Sequence, residues 1–403
     1  MNKFLRYLFG LRNLKAPRNQ AIRIAREITS GIYPLFYSII KEYFLVSGHV
    51  EHAILSALPK VKAIDCWYRA KAYYLRADYD LAIDQLKRIE KKSPEVHYLW
   101  ARCLEFKNNL REARKIIIND AEILTKTKSW LILANMVNTT NDFSEYQRLY
   151  KKYCQNQDKA FRHFILAACR SKNYDVAIKE CLSIINDRAN LTRTIVDTRP
   201  KRKIDPEDGF EALQDLINVF SKYKINLFVI SGTLLGFYRD KNLIGYDSDL
   251  DVGIFDLNNR ELAINIIKRH DKFDLMPVRT EKCIRVRHLN GVPIDIFFHW
   301  NDANQFWHGG VKVNWHNDPF ELELDNWKSL KFYRPRNIEH YLTENYGNWK
   351  VRVRDFDSAF DTPNLQITNK KELIVYILLK IVECKNADIT KYKRQLALLN
   401  YEL

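Results

Sequence analysis

Three aspartates, Asp247, Asp249 and Asp251, stand two residues apart in the run Ile244-Gly-Tyr-Asp-Ser-Asp-Leu-Asp-Val-Gly-Ile-Phe255. Residues two apart on an extended strand project from one face. Three carboxylates so placed repel one another and resist joint ionisation unless a cation joins them. A hard divalent ion with phosphate oxygens as co-ligands meets that need. Leu250, Val252, Ile254 and Phe255 mark a buried strand with the acids at its leading end. Farther on, Gly291-Val-Pro-Ile-Asp-Ile-Phe-Phe298 puts one carboxylate, Asp295, in an otherwise apolar run. Alone, Asp295 reads as a hydrogen-bonded structural residue. Beside the other acids it reads as a metal ligand, because a buried carboxylate is costly unless paired or metal-bound.

The elements that must position these acids follow from periodicity. Residues 209–224 form an amphipathic helix, and 225–230 (INLFVI) a short apolar strand. That strand runs into Ser231-Gly-Thr-Leu-Leu-Gly-Phe-Tyr-Arg239. A strand, a Gly232-Thr233 turn and a helix together aim backbone N–H groups at an anion. Arg285 and Arg287 alternate on the strand Cys283–Leu289 and share a face. They are either phosphate-side cations or ordinary charges of an edge strand. His288, His299, His308 and His316 lack paired ligand spacing and read as structural or surface residues. Trp300, Trp307, Trp315, Trp327 and Trp349 crowd one region; core packing is their default, with one or two available to stack on a cytosine or sugar ring. The last helices, about 370–384 and 389–402, are expected to close the catalytic domain.

The stretch SGTLLGFYRDKNLIGYDSDLDVGIF resembles the signature of the LicD/fukutin family, roughly G-T-L-L-G-x-x-R, a gap, then I-P-W-D-x-D-x-D. Gly232, Thr233, Leu234, Leu235, Gly236, Arg239, Ile244, Asp247, Asp249 and Asp251 match; Gly245 and Tyr246 replace the Pro-Trp. PIDIFF, Tyr346-Gly-Asn-Trp349 and Thr362-Pro-Asn364 look like its later landmarks, so the resemblance covers about residues 209–365. It implies a nucleotidyltransferase fold that transfers phosphocholine or a polyol phosphate from a CDP-activated donor to a glycan hydroxyl. By motif position it implies Mg²⁺ (with Mn²⁺ as a substitute) on Asp249 and Asp251, the site completed by Asp295. Gly232, Thr233, Arg239, Arg285 and Arg287 are then the donor-phosphate side. Asp295 or Asp247 would orient or deprotonate the acceptor hydroxyl.

In front of this lies a repeat. Tyr79-Asp-Leu-Ala82, Leu110-Arg-Glu-Ala113, Phe143-Ser-Glu-Tyr146 and Tyr174-Asp-Val-Ala177 start 31, 33 and 31 residues apart. Ala70, Ala101, Ala134 and Ile165 precede them at related positions; Leu86, Ile117, Tyr150 and Cys181 follow, and a weaker copy centres on Val50–Ala53. Small residues at fixed points let paired helices approach closely. The array resembles tetratricopeptide repeats, which bind partners along a concave face and do no chemistry.

The chain has 403 residues, 46% hydrophobic and 28% charged, an ordered profile. Net charge is +16, with 35 Lys and Arg against 20 Asp and Glu in residues 1–200 and 30 against 29 in the rest. The basic half suits a membrane face, an anionic or lipid-linked glycan acceptor, or a protein partner; nucleic acid is not the expected partner. The seven cysteines show no CxxC or zinc-ligand spacing, and Cys66, Cys103, Cys169 and Cys181, in helical apolar patterns, read as buried thiols of a reducing compartment. No apolar run reaches membrane-spanning length. Residues 1–18 read either as an amphipathic helix on an anionic membrane or as a first packing helix.

The expected class is therefore α+β: an all-α tetratricopeptide-like solenoid at 1–190, a linker at 191–208, and a nucleotidyltransferase-fold domain with a mixed sheet at 209–403. The expected role is a cytoplasmic phosphotransferase of surface-polysaccharide assembly (capsule, lipopolysaccharide or teichoic-type glycan), peripheral on the inner membrane face. The alternatives are a repeat-based binding protein with an inactive second domain, or a transferase of whole nucleotides.

Overall fold

A computed structural model describes residues 21–25, 32–55, 62–189, 203–245, 247–255, 259–302, 304–327, 329–353, 355–384 and 389–403. The N-terminal amphipathic stretch, most of the expected linker and Tyr246 lie outside the described residues.

The N-terminal half is helical. Its helices are α1 (Ile32–Val46), α2 (Val50–Leu55), α3 (Lys62–Leu75), α4 (Tyr79–Lys87), α5 (Pro94–Phe106), α6 (Leu110–Ile118), α7 (Ala121–Leu124), α8 (Thr127–Asn135), α9 (Thr140–Tyr153), α10 (Gln157–Arg170) and α11 (Tyr174–Ala189). The periodic small residues explain the packing: Ala53, Ala70, Ala82, Ala101, Ala113, Ala134 and Ala177 are fully buried. One turn recurs between paired helices. Gly48, Ala77, Asn108 and Lys172 hold positive φ, and the next amide closes a six-residue loop onto Phe44, Tyr73, Leu104 and Ala168 carbonyls. This is a Schellman C-cap, which satisfies carbonyls left over at a helix end.

The second half is mixed α/β. Helix α12 (Pro206–Ser221) precedes β1 (Phe228–Val229), the short α13 (Ser231–Leu235) with a π-turn over Gly236–Asp240, β2 (Leu250–Phe255) and α14 (Asn259–Arg269). Then come β3 (Phe273–Met276), β4 (Cys283–His288), β5 (Pro293–Asp302), β6 (Gln305–Gly309), β7 (Val313–Asn317), β8 (Leu322–Trp327), β9 (Leu330–Pro335), α15 (Ile338–Tyr346) and β10 (Leu365–Ile367). The sheet runs β10-β7-β6-β5-β2-β1-β9-β8, with β4 and then β3 added beside β5. Strands β2 and β5 are parallel, and β4 is antiparallel to β5. Their core side is continuous: Val252, Ile254, Ile284, Val286, Ile294, Ile296 and Phe298 are at most 1% exposed.

Helices α16 (Lys370–Glu383) and α17 (Thr390–Leu398) depart from expectation. They do not close the α/β unit. Leu373, Ile377, Leu378 and Ile381 share one core with Ala160, Phe164, Ile165 and Cys181 of the helical half. Arg162 pairs with Glu383 across this contact, and Lys371 with Asp175 at 2.9 Å. The hairpin β3–β4 also touches the helices. Tyr74 donates to Asp274 Oδ1 at 2.5 Å, Arg102 donates to the Leu275 carbonyl, and Arg279 pairs with Glu372 at 2.7 Å.

Candidate active site

The site forms where the leading ends of β2 and β5 meet. Register pairs Leu250 with Ile294 and Asp251 with Asp295. Leu250 and Ile294 turn into the core, so their neighbours Asp251 and Asp295 turn to the opposite face. The acids do not all line one strand, as the alternation suggested: β2 begins at Leu250, and a loop delivers Asp247 and Asp249. Within it, the Ser248 amide donates to Asp247 Oδ1 at 2.9 Å.

The turn after β1 shapes the floor. Ser231 adopts a φ of +47°, a left-handed conformation that costs a non-glycine residue on the order of 1 kcal/mol. It lets the next two residues reach back to β2. Thr233 Oγ1 accepts from the Asp251 amide at 2.8 Å, and the Gly232 amide donates to Asp251 Oδ2 at 3.3 Å. The two groups expected to hold donor phosphate are thus engaged in fixing Asp251. A Cβ on Gly232 would stand 2.7 Å from Asp247 Oδ2 and 3.5 Å from Asp251 Oδ2. The missing side chain is what lets these two carboxylates converge.

Arg285, expected at the donor phosphates, instead lies among the acids. It donates to both oxygens of Asp295, and its Nη2 also reaches Asp249 Oδ2 at 3.1 Å. One guanidinium does not balance four carboxylates. Burial, with the Asp249 charge next, pushes Asp247 up to about 7. Burial and then Asp295 raise Asp249. Asp251 rises well above the carboxylate range through burial and the charges of Asp249, Asp247 and Asp295.

This set fits a hard divalent cation: all-oxygen donors, a glycine-cleared cradle, and a deficit of positive charge. With Asp249 drawn to Arg285, no three of these carboxylates bring oxygens within 4.8 Å of one another among the described residues. Magnesium commonly takes one or two carboxylates and completes its shell with water and substrate phosphate, so a pair suffices. The described group that does converge within 4.8 Å is Asp318, His340 and Glu344, a largely exposed cluster just after β7 and on α15.

The other expected cations are placed differently. Arg239 sits in the π-turn with its side chain 9% exposed and pairs with Asp240 at 2.9 Å; Asp240 also takes Arg352 at 3.1 Å. Arg287 shares the face of Arg285 but lies one pair farther from the acids, opposite Asp274. His299 and His308 stack at 4.4 Å and are buried; burial keeps both neutral. His288 bonds Asp215 at 3.1 Å. Trp327 stacks on Phe237 at 5.3 Å and Trp300 on Trp307 at 4.3 Å. Residue-type reasoning missed Tyr346 as a member of the site. Burial and then the charge of Asp251 hold its hydroxyl pKa well above 10, with Asp247 contributing. It comes from the end of α15, and only its place in the YGNW landmark gave any signal.

Comparison with known proteins adds the following. Residues 224–334 match the model of the LicD/FKTN/FKRP nucleotidyltransferase domain. The chain is 28% identical over 214 residues to a Homo sapiens protein named ribitol-5-phosphate transferase FKTN, covering 51% of this chain and 45% of that one. The Macaca fascicularis protein of the same name is 26% identical over 214 residues, with the same shares. The Mus musculus protein is 27% identical over 189 residues, covering 44% and 41%. The chain thus spans less than half the length of the curated relatives it matches.

Proposed function

We propose that this chain, whose residues 224–334 match the model of the LicD/FKTN/FKRP nucleotidyltransferase domain, transfers a polyol phosphate such as ribitol phosphate, or phosphocholine, from a CDP-linked donor to a glycan hydroxyl. The observation that carries the reading is the meeting of Asp247, Asp249, Asp251 and Asp295 at the ends of two parallel strands, with less positive charge than they need. Asp249 and Asp251 would hold the cation, Mg²⁺ or Mn²⁺, which would supply charge neutralisation for the departing CMP. The chain's own residues do the rest. Gly232 and Thr233 fix Asp251, and Arg285 orients Asp295 and Asp249. Asp247, poised near 7, accepts the proton of the attacking hydroxyl. The finer identities rest on the same reading: a tetratricopeptide-like array in front, supported by buried alanines at near-constant spacing, and a cytoplasmic role in surface-polysaccharide assembly. Among the described residues no helix is long and apolar enough to cross a membrane.

The test is release of CMP from CDP-ribitol, CDP-glycerol and CDP-choline with Mg²⁺ present. A metal contributing several kcal/mol to the transition state makes Asp249→Asn with Asp251→Asn slower by about 10³-fold or more. Undiminished release by that double variant sinks the reading. The hold of Arg285 on Asp295 and Asp249 favours one second reading, a scaffold whose guanidinium replaces the cation. In that case neither Mg²⁺ nor CDP shifts the melting temperature.

A further inference from the structure

A cavity of about 730 Å³ lies between the helical half and hairpin β3–β4. That is an ordinary size for a ligand site. Its helical wall comes from the first helix of successive hairpins, α1, α3, α5 and α8; its other wall is Asp274, Met276 and Arg287. Register places this second wall. Asp251, Asp295 and Arg285 form one row across β2, β5 and β4, all on the same face. Met276 continues that row, and Arg287 with Asp274 make the adjoining one. Strands lie about 4.8 Å apart, so the cavity opens on the carboxylate face roughly 10 Å from Asp295.

The lining has a distinct chemistry. Its five Lys and Arg face four acids, Glu42, Glu95, Glu105 and Asp274: Arg23 and Lys128 pair with Glu95 at 2.8 Å each, Lys71 with Glu42 at 2.6 Å and Arg102 with Glu105 at 2.6 Å. This leaves little positive charge for a diphosphate or a polyanion. Trp67, Tyr74 and Tyr98 line it with ring edges, at 2%, 8% and 6% exposure. Two wall residues have unmet hydrogen-bonding capacity of opposite kinds, since Glu42 Oε2 and Trp67 Nε1 are buried without a partner. Such groups are rare in folded proteins. A hydroxyl both donates and accepts, so a polyhydroxylated ligand answers both, while its C–H groups meet the aromatic edges.

We infer that this cavity binds the acceptor: a segment of uncharged glycan laid between the helices and β3–β4, its terminal hydroxyl directed along the sheet face toward Asp295. The inference rests on the phosphotransferase reading for its purpose, but the site itself is testable apart from it. The full chain, fluorescently labelled, is applied to an array of short neutral and anionic oligosaccharides, and Mg²⁺–CDP binding is followed separately by calorimetry. Binding to neutral members is expected. It weakens by about tenfold or more in Glu42→Gln and in Leu131→Trp, which fills the cavity from a half-exposed position of its wall. CDP binding stays unchanged in both variants. Binding only to anionic glycans, no binding to any neutral member, or neutral binding indifferent to both variants overturns the inference. Failure to bind CDP alongside intact neutral-glycan binding would instead strike the phosphotransferase reading.

Discussion

Asp247 is the residue whose titration says most about the site. Its pKa lies at about 7, against an ordinary value of about 3.9. The folded state therefore holds this proton more tightly than the unfolded state between those values. The contribution to stability is present below about pH 4 and lost as pH rises through about 7. Asp249 and Asp251, also raised, act in the same sense. His299 and His308, buried and neutral, act oppositely, because the unfolded state alone gains their protons below about 6.5. The discriminating measurement is thus a difference: urea midpoints of wild type and Asp247→Asn across pH 5 to 8. The variant should gain on wild type as pH rises, by about 2–3 kcal/mol because the range spans two units below the raised pKa, and should keep the Mg²⁺-induced stabilisation, which rests on Asp249 and Asp251. Parallel curves would refute the raised pKa. Arg285 offers a second test at this scale. A double-mutant cycle of Arg285→Met with Asp295→Asn should give a coupling of about 1–2 kcal/mol, below the figure for a fully buried pair because Arg285 is 43% exposed.

At the level of elements, the acids were legible because carboxylates in apolar runs are expensive and therefore informative. The alternation of Leu250, Val252 and Ile254 marked β2, and PIDIFF marked β5. The sequence could not show that β2 starts only at Leu250, since a loop and a strand end both tolerate Asp-x-Asp spacing. Nor could it show what Gly232 and Thr233 bind. A Gly-Thr turn offers the same amides to a phosphate and to a neighbouring carboxylate, and only register decides which is nearer. That distinction is measurable. Gly232→Ala puts a methyl 2.7 Å from Asp247 Oδ2, which must shift, and in ordinary contact with Asp251 Oδ2 at 3.5 Å. Thr233→Val keeps the shape and removes the 2.8 Å acceptor of the Asp251 amide, which costs about 1–3 kcal/mol for a buried group left unpaired. Gly232→Ala should keep the fold and the Mg²⁺-induced melting shift, which rests on Asp249 and Asp251, while slowing CMP release through the displaced Asp247. Undiminished CMP release by that variant would mean that the position of Asp247 does not matter to transfer.

Across the whole molecule, helices α16 (Lys370–Glu383) and α17 (Thr390–Leu398) belong to the helical half that ended with α11 at Ala189. Periodicity marked α16 and α17 as amphipathic but carries no information about which core receives them, because any apolar stripe fits any apolar groove of similar width. The structure sets Leu373, Ile377, Leu378 and Ile381 against α10 and α11. Each is at most 3% exposed and contributes about 1.5–3 kcal/mol by burial, so together they match the roughly 5–15 kcal/mol that holds a domain folded. The helical half ends on a surface it cannot leave bare, and the C-terminal helices cover it. A chain ending at Thr368 should therefore lose amide-exchange protection over Gln157–Ala189 while β2 and β5 keep theirs. The milder Leu378→Ala should destabilise by about 2–5 kcal/mol with the same regional bias. The opposite pattern, protected helices and exchanging strands, would return α16 and α17 to the catalytic unit. The salt bridge from Arg279 to Glu372, whose side chain is 4% exposed, ties the β3–β4 connection to this same cover. Loss of the cover should therefore also loosen hairpin β3–β4, and with it the far wall of the interdomain cavity, before it reaches the carboxylates.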